Sequence, residues 1–129
     1  MSDELKINSI YQVSISVDDL DSAIDFYRDK LGITFIAQFP PGLAIFDCDG
    51  IHLMLSAIPG EASAGNSVIY FNVPDIQVAY QTLRERGVEF TSEPHVIHST
   101  DNYELWMAFF QDPHGNTMAI ADERGELVP

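Results

Sequence analysis

The histidine side chains are the groups in this sequence that are best suited to moving a proton or binding a metal ion. His52 lies between Ile51 and Leu53, in an apolar strand candidate. An imidazole placed there could titrate, donate a hydrogen bond or coordinate a metal. A single histidine in such a strand is also commonly a hydrogen-bonded core residue. We therefore interpret His52 as a candidate site residue first and as a metal ligand second.

His95 and His98 form a second candidate pair within the sequence PHVIH. Side chains three residues apart point to opposite faces of a straight strand, so these two imidazoles cannot easily chelate one metal there. A β-bulge could re-aim one of them. We favour His98 as an acid or base, against the alternative of a polar residue at a strand end. For His114, which lies in a turn sequence, a solvated loop residue is the simpler interpretation.

Aromatic and thioether side chains could line an apolar pocket for a planar or thioester-like ligand. The candidates are Met54, Tyr70, Tyr103 and Trp106. The alternative is that these side chains fill the core, and for Trp106 the two interpretations are equally good. Cys48 is less favoured as a nucleophile, because the carboxylates on either side of it disfavour a thiolate.

The charge balance limits the classes of partner. Six Lys and Arg against 20 Asp and Glu give the 129-residue chain a formal net charge of −14 at pH 7. This charge repels phosphate backbones and anionic lipids, so neither nucleic acid nor a membrane is an expected partner. The single cysteine excludes an intramolecular disulfide, and the acidic N-terminal sequence lacks a long apolar run. We therefore expect a cytoplasmic protein.

An internal repeat organises the elements that must position these residues. Residues 13–20, VSISVDDL, resemble residues 69–76, IYFNVPDI, and the likeness continues through an amphipathic stretch to Gly32 in one copy and Gly87 in the other. Each copy predicts an alternating strand, an Asp that caps a helix, a glycine that ends the helix and three further strands.

The repeat predicts an α+β fold in which one domain holds two βαβββ modules. The first module spans about residues 9–58 and the second about residues 67–122. A small, polar linker at about residues 59–66 joins them. The length leaves little room for a second domain.

Two motifs carry a resemblance to a known superfamily. Residues 17–32, VDDLDSAIDFYRDKLG, resemble its first strand and helix. Residues 112–116, DPHGN, resemble the turn before its last strand, with His114 in place of the usual Asp. With the tandem βαβββ repeat, these motifs make the chain similar to the vicinal oxygen chelate superfamily of glyoxalase I, bleomycin-resistance proteins and extradiol dioxygenases. The sequence from Glu104 to Pro113 is similar to an uncharacterised subgroup of it.

The resemblance implies mixed, curved sheets that form a cup, whose inner face binds a small molecule. Strand alternation predicts which side chains face this cup, because residues i and i+2 share a face. The predicted cup residues are Gln12, Ser14, Ser16, His52 and Met54 in the first module, and Val68, Tyr70, Thr117, Ala119 and Ala121 in the second. The parity of the strand that contains Glu104 and Trp106 stays open.

The resemblance also implies where a divalent metal would bind. Metal-dependent relatives carry His, Glu or Gln at four cup positions, which fall here on Gln12, His52, Val68 and Ala119. Only Gln12 and His52 can coordinate, whereas a catalytic metal normally has about three protein donors. We expect either no cofactor or a weakly bound divalent metal, for which His98 is the next ligand.

Two functions follow from the resemblance. One is a lyase or isomerase of the glyoxalase or epimerase kind, in which His52 or His98 moves a proton on a small carbonyl or thioester metabolite. The other is a metal-free protein that binds a small molecule or sequesters an antibiotic. The expected ligand contacts are Gln12, Ser14, Met54, Tyr70 and Trp106. A homodimer is expected, since superfamily members commonly build their cups from paired modules of one or two chains.

Overall fold

Two four-stranded sheets and two helical regions make up the fold. The computed structural model describes residues 5, 9–58 and 68–125, so the predicted linker lies outside the described residues. The first module contains β1 (Gln12–Ser16), α1 (Leu20–Asp25), a π-helical segment (Phe26–Lys30), β2 (Thr34–Phe39), β3 (Leu43–Cys48) and β4 (Ile51–Ser56). The second contains β5 (Ile69–Asn72), α2 (Ile76–Glu85), β6 (His95–Thr100), β7 (Tyr103–Gln111) and β8 (Thr117–Gly125). The predicted α+β class with tandem βαβββ modules is confirmed.

The strand order is the same in both modules. The first sheet has the order β1-β4-β3-β2 and the second the order β5-β8-β7-β6. In each sheet the first strand pairs in parallel with the last, and the other pairs are antiparallel. The helix that follows the first strand makes this parallel pairing possible, because a parallel neighbour needs a crossover connection.

Within the described ranges, no helix is long and apolar enough to cross a bilayer.

An aspartate begins each helix and a glycine follows its end, as the repeat predicts. Asp19 and Asp75 each accept a hydrogen bond from a backbone N–H of the first helical turn, at 3.2 and 3.0 Å. Gly32 and Gly87 have φ angles of 76° and 90°, a left-handed conformation that glycine adopts without steric cost. The first helix departs from the expected continuous α-helix, because Phe26–Lys30 adopts π-helical geometry. This geometry accompanies the burial of Phe26 and Tyr27, which are adjacent in sequence.

One hydrophobic core joins the two modules. It contains side chains from the helices and from the helix-facing side of both sheets, among them Ile15, Phe46, Leu53, Leu55, Leu83, Phe110, Met118 and Ile120. Ile15 and Val17 are buried on this side, as the alternation with the predicted cup residues Ser14 and Ser16 requires. The opposite face of each sheet therefore stays available for a site.

A buried turn fastens the second module to the first. Asp112, which follows β7, accepts a hydrogen bond from the Tyr27 hydroxyl at 2.8 Å and from the backbone N–H groups of His114 and Asn116 at 2.8 Å. Asn116 Nδ2 donates to the Ser16 carbonyl at 2.9 Å. Burial and the Asp112 carboxylate raise the pKa of Tyr27 far above its ordinary value, so its hydroxyl remains a donor. The turn that resembles a superfamily motif thus holds the modules together.

Candidate functional site

The first half of the candidate site is the open face of the first sheet. Parallel pairing of β1 with β4 sets Gln12 beside His52 and Ser14 beside Met54. Gln12 Nε2 donates a hydrogen bond to Met54 Sδ at 3.7 Å. These four residues therefore share one face, as the alternation predicts.

His52 has two neighbours that the sequence analysis did not assign to the site. Asp47 lies opposite it on β3, and the Tyr11 ring is 5.0 Å from the imidazole between ring centroids. The two-residue turn Asp49-Gly50 indicates that Asp47 lies opposite His52, because a tight turn pairs the residues that precede it with those that follow it. The half-buried imidazole thus has a carboxylate on the neighbouring strand.

The second half of the candidate site is the corresponding face of the second sheet. Ala119 lies between Tyr70 on β5 and Phe109 on β7. The two rings are 6.2 Å apart and nearly perpendicular. Ala119 and Ala121 are buried, while Tyr70 is 53% exposed. The two rings thus pack over small, buried side chains and give this face an aromatic, apolar surface.

A β-bulge in β6 decides the direction of two histidines. The register with β7 shifts between Val96 and His98, so His95 lies opposite Met107 and His98 opposite Leu105. Both partners alternate onto the cup face of β7. The two imidazoles therefore share this face, contrary to the expectation for a straight strand, because the bulge adds one residue between them.

Tyr103 and Glu123 form a polar pair at the outer end of this face. The Tyr103 hydroxyl donates to Glu123 Oε2 at 2.6 Å, and this hydrogen bond raises the pKa of Tyr103. The His98 ring lies 6.1 Å from the Tyr103 ring. Glu123 lies beyond the predicted end of the second module at about residue 122, whereas β8 continues to Gly125.

Trp106 is not brought to the cup. It alternates with the cup-facing residues of β7 and pairs with Asp122, on the helix-facing side of the sheet. Its indole N–H donates to Glu104 Oε1 at 2.9 Å, and the Arg124 guanidinium lies 5.4 Å from its ring centre. This position resolves the parity that the sequence left open, and it removes Trp106 from the group of residues that share a face with Tyr70.

His114 is not solvated, so the interpretation of it as a solvated loop residue is wrong. Its side chain is 7% exposed, because the turn packs against the start of the first helical region. Nδ1 accepts a hydrogen bond from the Asp18 backbone N–H at 3.2 Å, and Nε2 lies 3.4 Å from Ser22 Oγ. Since Nδ1 is an acceptor, the proton of the neutral ring lies on Nε2. With its proton on Nε2, His114 cannot take a proton from Ser22. Ser22 and His114 therefore do not act as the serine and the base of a Ser-His-Asp triad.

Comparison with known proteins identifies the family. Residues 9–120 match the model of the Glyoxalase/Bleomycin resistance protein/Dioxygenase superfamily. The chain belongs to this superfamily. It is 34% identical over 130 residues to the uncharacterized protein YurT of Bacillus subtilis (strain 168), a match that covers 88% of this chain and 98% of that protein.

Solved structures of the superfamily share the fold. A member from Sphaerobacter thermophilus DSM 20745 has a TM-score of 0.74 at 26% identity, covering 92% of this chain and 99% of that chain. Lactoylglutathione lyase from Agrobacterium tumefaciens has a TM-score of 0.74 at 21% identity, covering 91% of this chain and 95% of that chain. At that identity the second likeness shows a shared fold and no more.

The donors at the superfamily's metal positions do not fit a resident metal. Val68 and Ala119 have no donor atom in their side chains, so only Gln12 and His52 of the four implied positions could coordinate a metal. Within residues 5, 9–58 and 68–125, no three side chains of His, Cys, Asp or Glu lie together in a way that could hold a metal ion.

Proposed function

We propose that this protein binds a small, largely apolar molecule without the help of a resident metal. The observation that carries the proposal is the open face of the second sheet, where Tyr70 and Phe109 flank the buried Ala119. Such a surface suits a ligand with a flat or apolar part, because apolar lining with few polar groups is typical of small-molecule sites. His52 and Gln12 would supply the polar contacts that orient the ligand.

We further propose that each cup is formed by two chains, with one half from each chain. The hydrogen bonds between the modules run through Tyr27, His114, Asn116 and Arg86, and among the described residues none of them involves His52. The open faces meanwhile expose large apolar side chains, namely Phe39, Val68 and Tyr70. A second copy would cover these surfaces and could bring one chain's first sheet opposite its partner's second sheet.

A lyase or isomerase is the second candidate function, and specific residues favour it. His52 has Asp47 on the neighbouring strand, and His98 lies beside the hydrogen-bonded Tyr103 and Glu123. An imidazole with a carboxylate nearby is a common proton-transfer group for carbonyl or thioester compounds. The Tyr103 hydroxyl stays protonated, since its hydrogen bond to Glu123 raises its pKa, and it donates this hydrogen bond to that carboxylate.

Metal analysis combined with binding of the neutral dye Nile red tests the first function. We expect less than one Zn, Ni, Mn or Fe per chain after dialysis, and dye binding that is unchanged by a chelator. Ala119→Leu places a larger side chain beneath the two rings and, by displacing them, should weaken binding about tenfold or more. Val96→Leu, on the opposite face of the second sheet, is the matched control and should bind as the unaltered protein does.

Two outcomes would contradict this proposal. One metal ion retained per chain after dialysis would contradict binding without a resident metal. Equal dye binding by Ala119→Leu and the unaltered protein, with both folded by circular dichroism, would show that the face of the second sheet is not the site.

Light scattering at micromolar concentration tests the pairing of two chains. We expect a particle of twice the chain mass of 14.4 kDa. Phe39→Asp should shift the equilibrium towards the monomer, because it adds a charge to an apolar surface that pairing would bury. Val96→Asp, on the helix-facing side of β6, should leave the mass unchanged. A 14.4 kDa particle from the unaltered chain would refute the paired cup.

A further inference from the structure

A cavity of about 440 Å³ that is open to solvent lies on the helix-facing side of the second sheet, away from the cup. Its walls come from α2 and β5 of the second module and from the ends of the helix and of β3 in the first module. Leu31, Ile33, Phe71 and Leu83 supply apolar surface, and the polar groups of the lining come from Cys48, Asn72, Asp75 and Thr82. The cavity therefore lies at a junction between the two modules.

The internal repeat shows what fills the equivalent junction. When Asp19 is matched with Asp75, Tyr27 corresponds to Leu83. Tyr27 is fully buried, and its hydroxyl reaches Asp112 at the β7–β8 end of the second module. At the other junction the shorter Leu83 lines the cavity together with Cys48, which lies at the β3–β4 end of the first module. The cavity thus occupies the place where the other junction holds an aromatic ring.

The lining of the cavity selects the chemistry of a ligand. An apolar cavity of about 150 Å³ is already large enough to hold a benzene ring, so the volume here does not exclude a substituted ring. Burial and the carboxylates of Asp47 and Asp49 raise the pKa of the Cys48 thiol, so the group is neutral at pH 7. These carboxylates and the net charge of −14 disfavour an anion.

We propose that this junction cavity binds a neutral aromatic molecule, seated where the Tyr27 ring lies in the equivalent junction. The site is separate from the cup, because helix-facing residues supply most of its lining. Ligand binding in this cavity therefore does not depend on ligand binding in the cup. The occupant is a ring and not a second copy of the chain, since the equivalent junction holds the buried ring of Tyr27.

The rate at which iodoacetamide alkylates Cys48 reports on the cavity in the unaltered protein. The probe is p-cresol, the analogue of the tyrosine side chain, and Cys48 is the only thiol in the chain. We expect saturable slowing of alkylation, by about tenfold when p-cresol is at ten times its dissociation constant. The anion 4-methylbenzoate should give no protection at the same concentration. Equal protection by both compounds, or protection by neither, would overturn the proposal.

Two variants locate the protection. Leu83→Tyr supplies the missing ring and should abolish the effect of p-cresol, while Leu105→Tyr, on the cup face, should leave it intact. If only Leu105→Tyr removes protection, p-cresol binds in the cup and the proposal is wrong. If Leu83→Tyr does not fold, nuclear Overhauser effects between p-cresol and the Leu83 methyl groups of the unaltered protein decide the matter, and their absence refutes the site. A change in particle mass with p-cresol would also refute it, because a second copy would then be the occupant.

Discussion

Asp112→Ala is expected to destabilise the protein by about 3 kcal/mol or more. The carboxylate accepts hydrogen bonds from the Tyr27 hydroxyl, from two backbone N–H groups and from Asn116 Nδ2, all at 2.8 Å. Each buried donor that loses its partner costs about 1 to 3 kcal/mol. Because these donors belong to both modules, the variant should loosen the whole junction.

The free energy of unfolding, measured in urea, checks this expectation. Tyr27→Phe removes a single hydrogen bond of the same group and should cost about 1 to 3 kcal/mol. The control is Asp18→Ala, since the Asp18 side chain is 93% exposed and its loss should change stability by about 0.5 kcal/mol or less. If Asp112→Ala were no less stable than the Asp18 variant, the turn would not be what joins the modules.

His52→Ala and Leu53→Ala are expected to have opposite effects, although the residues are adjacent. Leu53 is 3% exposed in the core, so its truncation should cost about 2 to 5 kcal/mol through the cavity that it leaves. His52 lies on the open face beside Gln12, so its truncation should leave stability close to that of the unaltered protein. It should nevertheless weaken Nile red binding about tenfold, because a polar contact to the bound dye is lost.

Urea unfolding and dye titration on the same two proteins test the direction of the β4 side chains. The reverse pattern is an unfolded His52 variant and a stable Leu53 variant that no longer binds the dye. It would show that the assignment of β4 side chains to the two faces is shifted by one residue. Every cup residue assigned on β4 would then be wrong. Equal dye binding by both variants would instead remove His52 from the ligand site.

The sequence predicted those parts of the structure that depend on neighbours close in the chain. The alternation in β1 and β4 is a property of extended backbone, so it placed Gln12 and His52 on one face without knowledge of the partner strand. The helix caps Asp19 and Asp75 are equally local, since a carboxylate needs only the next few backbone N–H groups. The repeat itself predicted the topology, because the same local elements recur in the same order.

Tertiary structure decided the features that depend on residues far apart in the chain. Trp106 faces the core and not the cup because the pairing of β7 with β8 fixes its parity. His95 and His98 share a face because a bulge adds a residue to β6, and no residue type in that strand marks its position. His114 is buried because its turn packs on a helix more than 90 residues away in sequence.

The two junctions between the modules are the clearest example of what the sequence and the tertiary structure each determine. The repeat made Tyr27 and Leu83 equivalent, and this equivalence is visible in the sequence. Only the packed structure shows that one junction is closed by a hydrogen bond to Asp112 and that the other contains a cavity beside Cys48. The physical reason is that the volume left between two elements depends on the side chains of both, whereas a sequence pattern describes one element at a time.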